Sequence, residues 1–271
     1  MIRIFAAALA ACLALVGCGQ SSTGDSSSAS PASTPTQATP AQAPLSGTIN
    51  VYAAASLTKT FTELGDRLMA EHPDLDVQFV FAGSADLVAQ LQAGAPGDVF
   101  ASADERNMTK ATDAKLVVGE PTPFVTNHLT IVVVPGNPHG VASLADLANP
   151  DLKVVVCAPQ VPCGGATQQV AELAGVTLTP VSEENSVSSV LTKVTAGEAD
   201  AGLVYRTDAK GAGDKVSVVD FPEADQVTNV YQIALLADAQ NPEAAQAFID
   251  LVASSEGQQV MREAGFNTPQ G

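Results

Sequence analysis

Four short stretches hold the residues best suited to chemistry. They are Ala53-Ala-Ala-Ser56, Ala82-Gly-Ser84, Pro162-Cys163-Gly-Gly165 and Asn185-Ser-Val187. Each falls where an apolar, strand-like run gives way to a helix-like pattern. A helix start leaves backbone N–H groups without partners and carries about half a positive charge. It is a ready place for an anion. A serine there adds a hydroxyl donor, and flanking Ala or Gly lets an anion approach the backbone. Taken singly, each serine is more simply a helix cap, contributing about 1 kcal/mol to its own helix. Four starts at comparable topological positions favour a shared use, the binding of an anion by neutral donors.

Other chemistries fit less well. Ser56 as a nucleophile needs a base, and neither a GxSxG nor an SxxK pattern surrounds it. His128 and His139 would reach it only by an accident of folding, so no enzyme activity is expected. An iron site needs clustered Tyr, His and carboxylates, and the chain has three Tyr.

The elements that must position these stretches alternate along the chain. Strand signals fall near residues 48–54, 76–82, 98–102, 129–134, 153–158, 201–205, 216–221 and 230–236. Helix signals fall near 56–71, 84–93, 105–115, 143–147, 165–173, 187–196, 242–254 and 256–263. In the first helix, Leu57, Phe61, Leu64 and Leu68 recur at helical spacing, with Ser56 expected as its N-cap. Such alternation predicts an α/β fold with mostly parallel sheets. In such sheets ligands bind beyond the carboxyl ends of the strands.

The N-terminal region reads as an address. Arg3 precedes an apolar run over 4–16, too short to span a membrane. Leu15-Val16-Gly17-Cys18 then reads as a lipobox. Residues 1–17 are expected to be a signal peptide, with Cys18 carrying lipid on the outer face of the cell membrane. Residues 18–44 are almost all Gly, Ser, Thr, Ala, Gln and Pro. They cannot bury enough surface to offset the entropy of ordering, and they predict a flexible tether.

Of the four Cys, Cys12 leaves with the signal and Cys18 is lipidated. Cys157 and Cys163 remain, and a disulfide between them is expected in an oxidising compartment. The formal charge of -17 argues against nucleic acid as a partner. An anionic ligand would have to be held by local donors against that field.

Four blocks, in order, carry a family resemblance. Val51-Tyr-Ala-Ala-Ala-Ser-Leu-Thr58 resembles the opening signature of the molybdate-binding proteins of ABC importers. Phe81-Ala-Gly-Ser-Ala-Asp-Leu87, Gly94-Ala-Pro-Gly-Asp-Val-Phe-Ala-Ser-Ala-Asp104 and Gly202-Leu-Val-Tyr-Arg-Thr-Asp-Ala209 match further blocks. The resemblance spans residues 47–266. It implies a two-lobed periplasmic-binding-protein fold of type II. Each lobe would be a mixed, mainly parallel sheet flanked by helices, with two crossover strands as hinge. Lobe 1 is expected over 45–127 plus 232–271 and lobe 2 over 128–231, with crossings near Asn127 and Tyr231.

The resemblance also implies the ligand set: hydroxyl and N–H from Ser56 and Ser84, backbone N–H from Cys163 and Val187, and the phenolic O–H of Tyr205. Ser186 stands as an alternative to Val187. Cys163 departs from the small residue, such as Ala, that the family commonly has there. The expected ligand is molybdate or tungstate, with sulfate or phosphate as the alternative. The expected partner is a membrane permease, the expected state is a monomer, and no cofactor is expected. About seven neutral hydrogen bonds to a charged acceptor, at about 1.5–3 kcal/mol each, exceed any plausible sum. Submicromolar binding needs only about -8 to -10 kcal/mol. A site made only of donors disfavours hydrogen phosphate, whose proton needs an acceptor. Sulfate differs from molybdate only in size.

Overall fold

The computed structural model describes residues 44–269. The expected signal peptide, the lipidated Cys18 and all of the expected tether except its last residue lie outside the described residues.

Ten strands form two five-stranded sheets. The first has the order β2-β1-β3-β10-β4 and the second β7-β6-β8-β5-β9. Strands β1 (Gly47–Ala54), β2 (Leu75–Ala82), β3 (Val99–Ser102), β4 (Thr122–Asn127) and β10 (Asn229–Leu235) build the first. Strands β5 (Leu129–Val133), β6 (Val154–Cys157), β7 (Ser182–Glu184), β8 (Ala201–Tyr205) and β9 (Ser217–Val219) build the second.

Within each sheet three strands are parallel. They are β2-β1-β3 in one and β7-β6-β8 in the other. The remaining strands pair antiparallel, β10 with β3 and β4, and β5 with β8 and β9. Parallel and antiparallel pairings are equal in number, yet in each sheet four of the five strands run the same way, the mixed, mainly parallel sheets expected. The reason lies in the crossings. The strand entered at each crossing, β5 or β10, has no helix to return it, so it runs against its neighbours and separates β9 or β4 from the parallel triplet.

Asn127 ends β4 and Leu129 begins β5, so His128 alone makes the outward crossing. The return leads through a 3-10 turn (Pro222–Gln226) into β10 at Asn229. Tyr231, expected at that crossing, is instead already paired with Val125 inside the first sheet.

The helices are α1 (Thr58–Glu71), α2 (Ser84–Gln92), α3 (Glu105–Asp113), α7 (Pro242–Ala253) and α8 (Ser255–Ala264) in the first half. The second half holds α4 (Pro162–Ala174), α5 (Val187–Thr195) and α6 (Arg206–Ala212). In α1 the buried stripe is Phe61, Leu64, Gly65 and Leu68, as the spacing predicts. It packs on an aromatic cluster in which Phe61 meets Phe124 and Phe248, and Phe124 meets Tyr231. Strands β4 and β7 and helix α6 carry weaker patterns and escaped the sequence reading. The helix expected near 143–147 is a 3-10 turn at Ala145–Ala148. No helix among the described residues is long and apolar enough to cross a membrane.

The parallel triplets explain the location of the site. Each of their six strands leads at its carboxyl end into a helix or helical turn. The two sets of carboxyl ends face one another across the gap between the sheets.

Candidate functional site

A cavity of about 10 Å3 lies between the facing strand ends, on the scale of a single water-sized sphere. The first half contributes Ala54, Ala55 and Ser56 after β1, Ala82, Gly83 and Ser84 after β2, and Ala103 after β3. The second half contributes Val161, Pro162 and Cys163 at the start of α4, Val187 at the start of α5, and Tyr205 ahead of α6. All five expected ligand residues thus line one cavity. Among the described residues no charged side chain lines it.

The serines differ from the expectation in an instructive way. Ser56 is not an N-cap. It sits inside a 3-10 turn, Ala55–Leu57, that precedes α1. Thr58 Oγ1 donates to the Ala55 carbonyl at 2.7 Å and tightens that turn. The Ser56 hydroxyl is left facing Tyr231 Oη at 2.9 Å. Ser84 is the first residue of α2, and Gly83 holds the cap position. Ser84 Oγ accepts the Ala103 N–H at 3.0 Å, and the residue is 1% exposed. Ser186, by contrast, is an ordinary cap whose Oγ accepts from Ser189 N at 3.2 Å. It does not line the cavity, and Val187 does.

Helix α4 begins at Pro162, three residues before the predicted start. The fixed φ of proline suits the first helical position. Cys163 therefore lies in the first turn, where its N–H precedes any intrahelical acceptor. A disulfide joins it to Cys157 at the end of β6, with Cα atoms 5.6 Å apart. Gly164 makes this packing possible, because a Cβ there would strike the carbonyls of Ala158 and Cys157.

Tyr205 ends β8 with its ring against Tyr231, centroids 5.9 Å apart and edge to face. Its backbone N–H donates to Asp208 Oδ2 at 3.2 Å. The residue is 1% exposed, and its phenolic oxygen has no hydrogen-bond partner among the described residues. Burial, reinforced by Tyr231, Asp104 and Asp208, holds the phenol well above its ordinary range. It therefore stays protonated and can act only as a neutral donor or acceptor.

The roles of three contributors were not read from the sequence. The N–H of Ala103 anchors Ser84, although Ala103 lies within one of the quoted blocks. Tyr231 backs Ser56. Gly83 lets the halves approach, for a Cβ there would collide with the Asn185 backbone carbonyl. Gly83 did stand out in the sequence, by its place between a strand and a serine. The histidines are elsewhere occupied: His128 Nδ1 lies 3.0 Å from the Ala224 carbonyl, and His139 lies beside Asp200.

The model of the bacterial extracellular solute-binding proteins matches residues 49–267. The molybdate-binding protein of Mycobacterium tuberculosis is 48% identical over 222 residues, covering 82% of this chain and 85% of that protein. That of Escherichia coli is 28% identical over 230 residues, covering 81% and 89%. Among solved structures, the periplasmic molybdate-binding protein of Azotobacter vinelandii superposes with a TM-score of 0.70 at 24% identity, covering 82% of this chain and 100% of that one. Two mixed sheets, six facing helical starts and a sequence matched across nearly the whole body establish that this chain belongs to the bacterial extracellular solute-binding protein family, homologous to the molybdate-binding proteins of ABC transporters.

Proposed function

We infer that the protein captures a tetrahedral, doubly charged oxyanion, molybdate with tungstate as its near analogue, and hands it to the membrane permease of an ABC importer. The buried Tyr205 O–H carries this reading. A buried hydroxyl without a partner costs about 1–3 kcal/mol, so it points to an acceptor that arrives from outside. The same cavity collects the hydroxyls of Ser56 and Ser84 and the helical starts at Cys163 and Val187. Every one of these groups is a neutral donor, which suits an anion without a proton. The names of the relatives supply the choice of molybdate.

The donors come from both halves, so the anion binds best when the halves are closed, and its differential affinity drives closure. Cavity size then follows the hinge angle, which is the physical basis for separating molybdate from the smaller sulfate. A lipid on Cys18 and a tether over 18–44 would hold the body at the outer face of the membrane, within reach of the permease.

Titration calorimetry with molybdate, tungstate, sulfate and phosphate tests the assignment. Tight binding of the first two with weak binding of sulfate and phosphate is expected. Preference for sulfate or phosphate would replace the ligand, and heat from none of the four would overturn the function. Ser56→Ala and Ser84→Ala should each weaken molybdate binding at least about tenfold, the loss of one charge-assisted hydrogen bond.

A further inference from the structure

Both serine hydroxyls of the cavity are bonded from behind, and both bonds trace back to β10. Ser84 Oγ accepts from Ala103 N–H at 3.0 Å. The Ala103 carbonyl in turn accepts from Asn229 Nδ2 at 3.1 Å. Ser56 Oγ lies 2.9 Å from Tyr231 Oη. Asn229 and Tyr231 are two residues apart on one strand, so their side chains leave the same face. Both are buried, Tyr231 completely.

A backbone N–H only donates. Its bond therefore occupies a lone pair of Ser84 Oγ and leaves the serine proton free to turn toward the cavity. The bond at Ser56 can run in either direction, and the two directions have different consequences. If Ser56 donated to Tyr231, its proton would be used up behind the site and its lone pairs would face the ligand. If Tyr231 donates, the Ser56 proton faces the ligand, as at Ser84. Burial raises the Tyr231 phenol above its ordinary range, so it keeps its proton throughout the neutral region.

We propose that Tyr231 is a specificity-determining positioning residue, donating its phenolic proton to Ser56 Oγ and so making the Ser56 hydroxyl a dedicated donor toward the ligand. Strand β10 then sets the polarity of both serines, through Ala103 on one side and directly on the other. With one lone pair of each serine taken from behind, each hydroxyl turns its proton toward the cavity. Hydrogen phosphate, which carries a hydrogen at neutral pH, is disfavoured because both serines meet it with a proton rather than a lone pair. This inference rests on the oxyanion function proposed above and explains its selectivity.

The test is Tyr231→Phe, which keeps the ring packed against Phe124, Tyr205 and Phe266. Freed of its donor, the Ser56 hydroxyl is no longer held with its proton toward the ligand and can turn a lone pair to it. Molybdate and sulfate, which have no proton, should bind about 3- to 10-fold more weakly, on the scale of one lost neutral hydrogen bond. Hydrogen phosphate should hold its affinity or gain, so the molybdate-to-phosphate ratio should fall at least about 3-fold. A merely structural loosening would weaken all three together, and that outcome overturns the proposal, as does an unchanged ratio. In a Ser56→Ala background, Tyr231→Phe should leave the ratio unmoved.

A second measurement needs no variant. Monofluorophosphate is a phosphate dianion without a proton, and the unaltered protein should bind it more tightly than hydrogen phosphate. Equal or weaker binding overturns the proposal even if Tyr231→Phe fails to fold. Should the unaltered protein bind none of these anions, the functional reading fails. Should it bind molybdate and lose affinity in Ser56→Ala while Tyr231→Phe leaves every ratio alone, only the role of Tyr231 fails.

Discussion

Tyr205→Phe removes a single oxygen from the cavity wall and keeps the ring that packs on Tyr231. Without ligand, that oxygen is buried and unpartnered, a cost of about 1–3 kcal/mol. Its removal should leave the ligand-free protein as stable as before or more so. A gain of about 1 kcal/mol would raise the melting temperature by about 2–4 °C in a chain of this size. With the anion bound, the same O–H donates to a charged acceptor, a bond contributing about 1.5–3 kcal/mol. Its loss should weaken molybdate binding by about 10- to 150-fold. The two effects have opposite signs, which separates a ligand contact from a structural one. Calorimetry gives the affinity, and thermal unfolding without ligand gives the stability. A variant that binds as tightly as the unaltered protein, or one whose ligand-free melting temperature drops, would refute the reasoning.

Gly83→Ala should place a methyl against the Asn185 carbonyl and hold the halves apart. Overpacking of this kind costs about 1–3 kcal/mol, so affinity should fall by about 5- to 150-fold while the ligand-free melting temperature stays put. Small-angle scattering should show less compaction on adding molybdate, and full compaction with normal affinity would count against this role. Reducing the Cys157–Cys163 bridge should lower stability by about 2 kcal/mol in the chain-entropy model. It should also weaken binding, because the first turn of α4 loses its tie to β6; unchanged affinity under reductant would show the tie is dispensable. Burial pushes the Asp208 carboxyl up to about 7, against the lowering effect of the Tyr205 N–H. The folded chain then keeps a proton that the unfolded chain has lost between about pH 4 and 7. This group's stabilisation is present at low pH and disappears as pH rises through about 7. Asp208→Asn should therefore shrink the fall in melting temperature between about pH 5.5 and 8, and an unaltered pH profile would show that Asp208 does not titrate there.

Local pattern was enough for a large part of this molecule. The stripe of Phe61, Leu64 and Leu68, the apolar runs of β1, β5 and β8, and the stops at Pro73 and Pro96 are short-range signals. Hydrophobic periodicity and backbone sterics write them into a few consecutive residues. The serine-bearing turns were visible for the same reason, since a helix must start where a strand-like run ends. Short β7, with no apolar alternation, and α6, which opens on Arg206-Thr-Asp208, carry no such signal and were missed.

Only the folded chain decides the use of each serine. Ser56, Ser84 and Ser186 look alike in sequence, yet Ser186 bonds its own helix while the other two bond Tyr231 and Ala103. Those partners lie 175 and 19 residues away. Whether a hydroxyl caps a helix or turns to a ligand depends on which distant donor reaches it first. The close approach of Gly83 to Asn185 and the isolation of the Tyr205 hydroxyl are likewise set by how two sheets face each other. A hydrogen bond acts over about 3 Å, and only tertiary packing brings groups so far apart in the chain within that range.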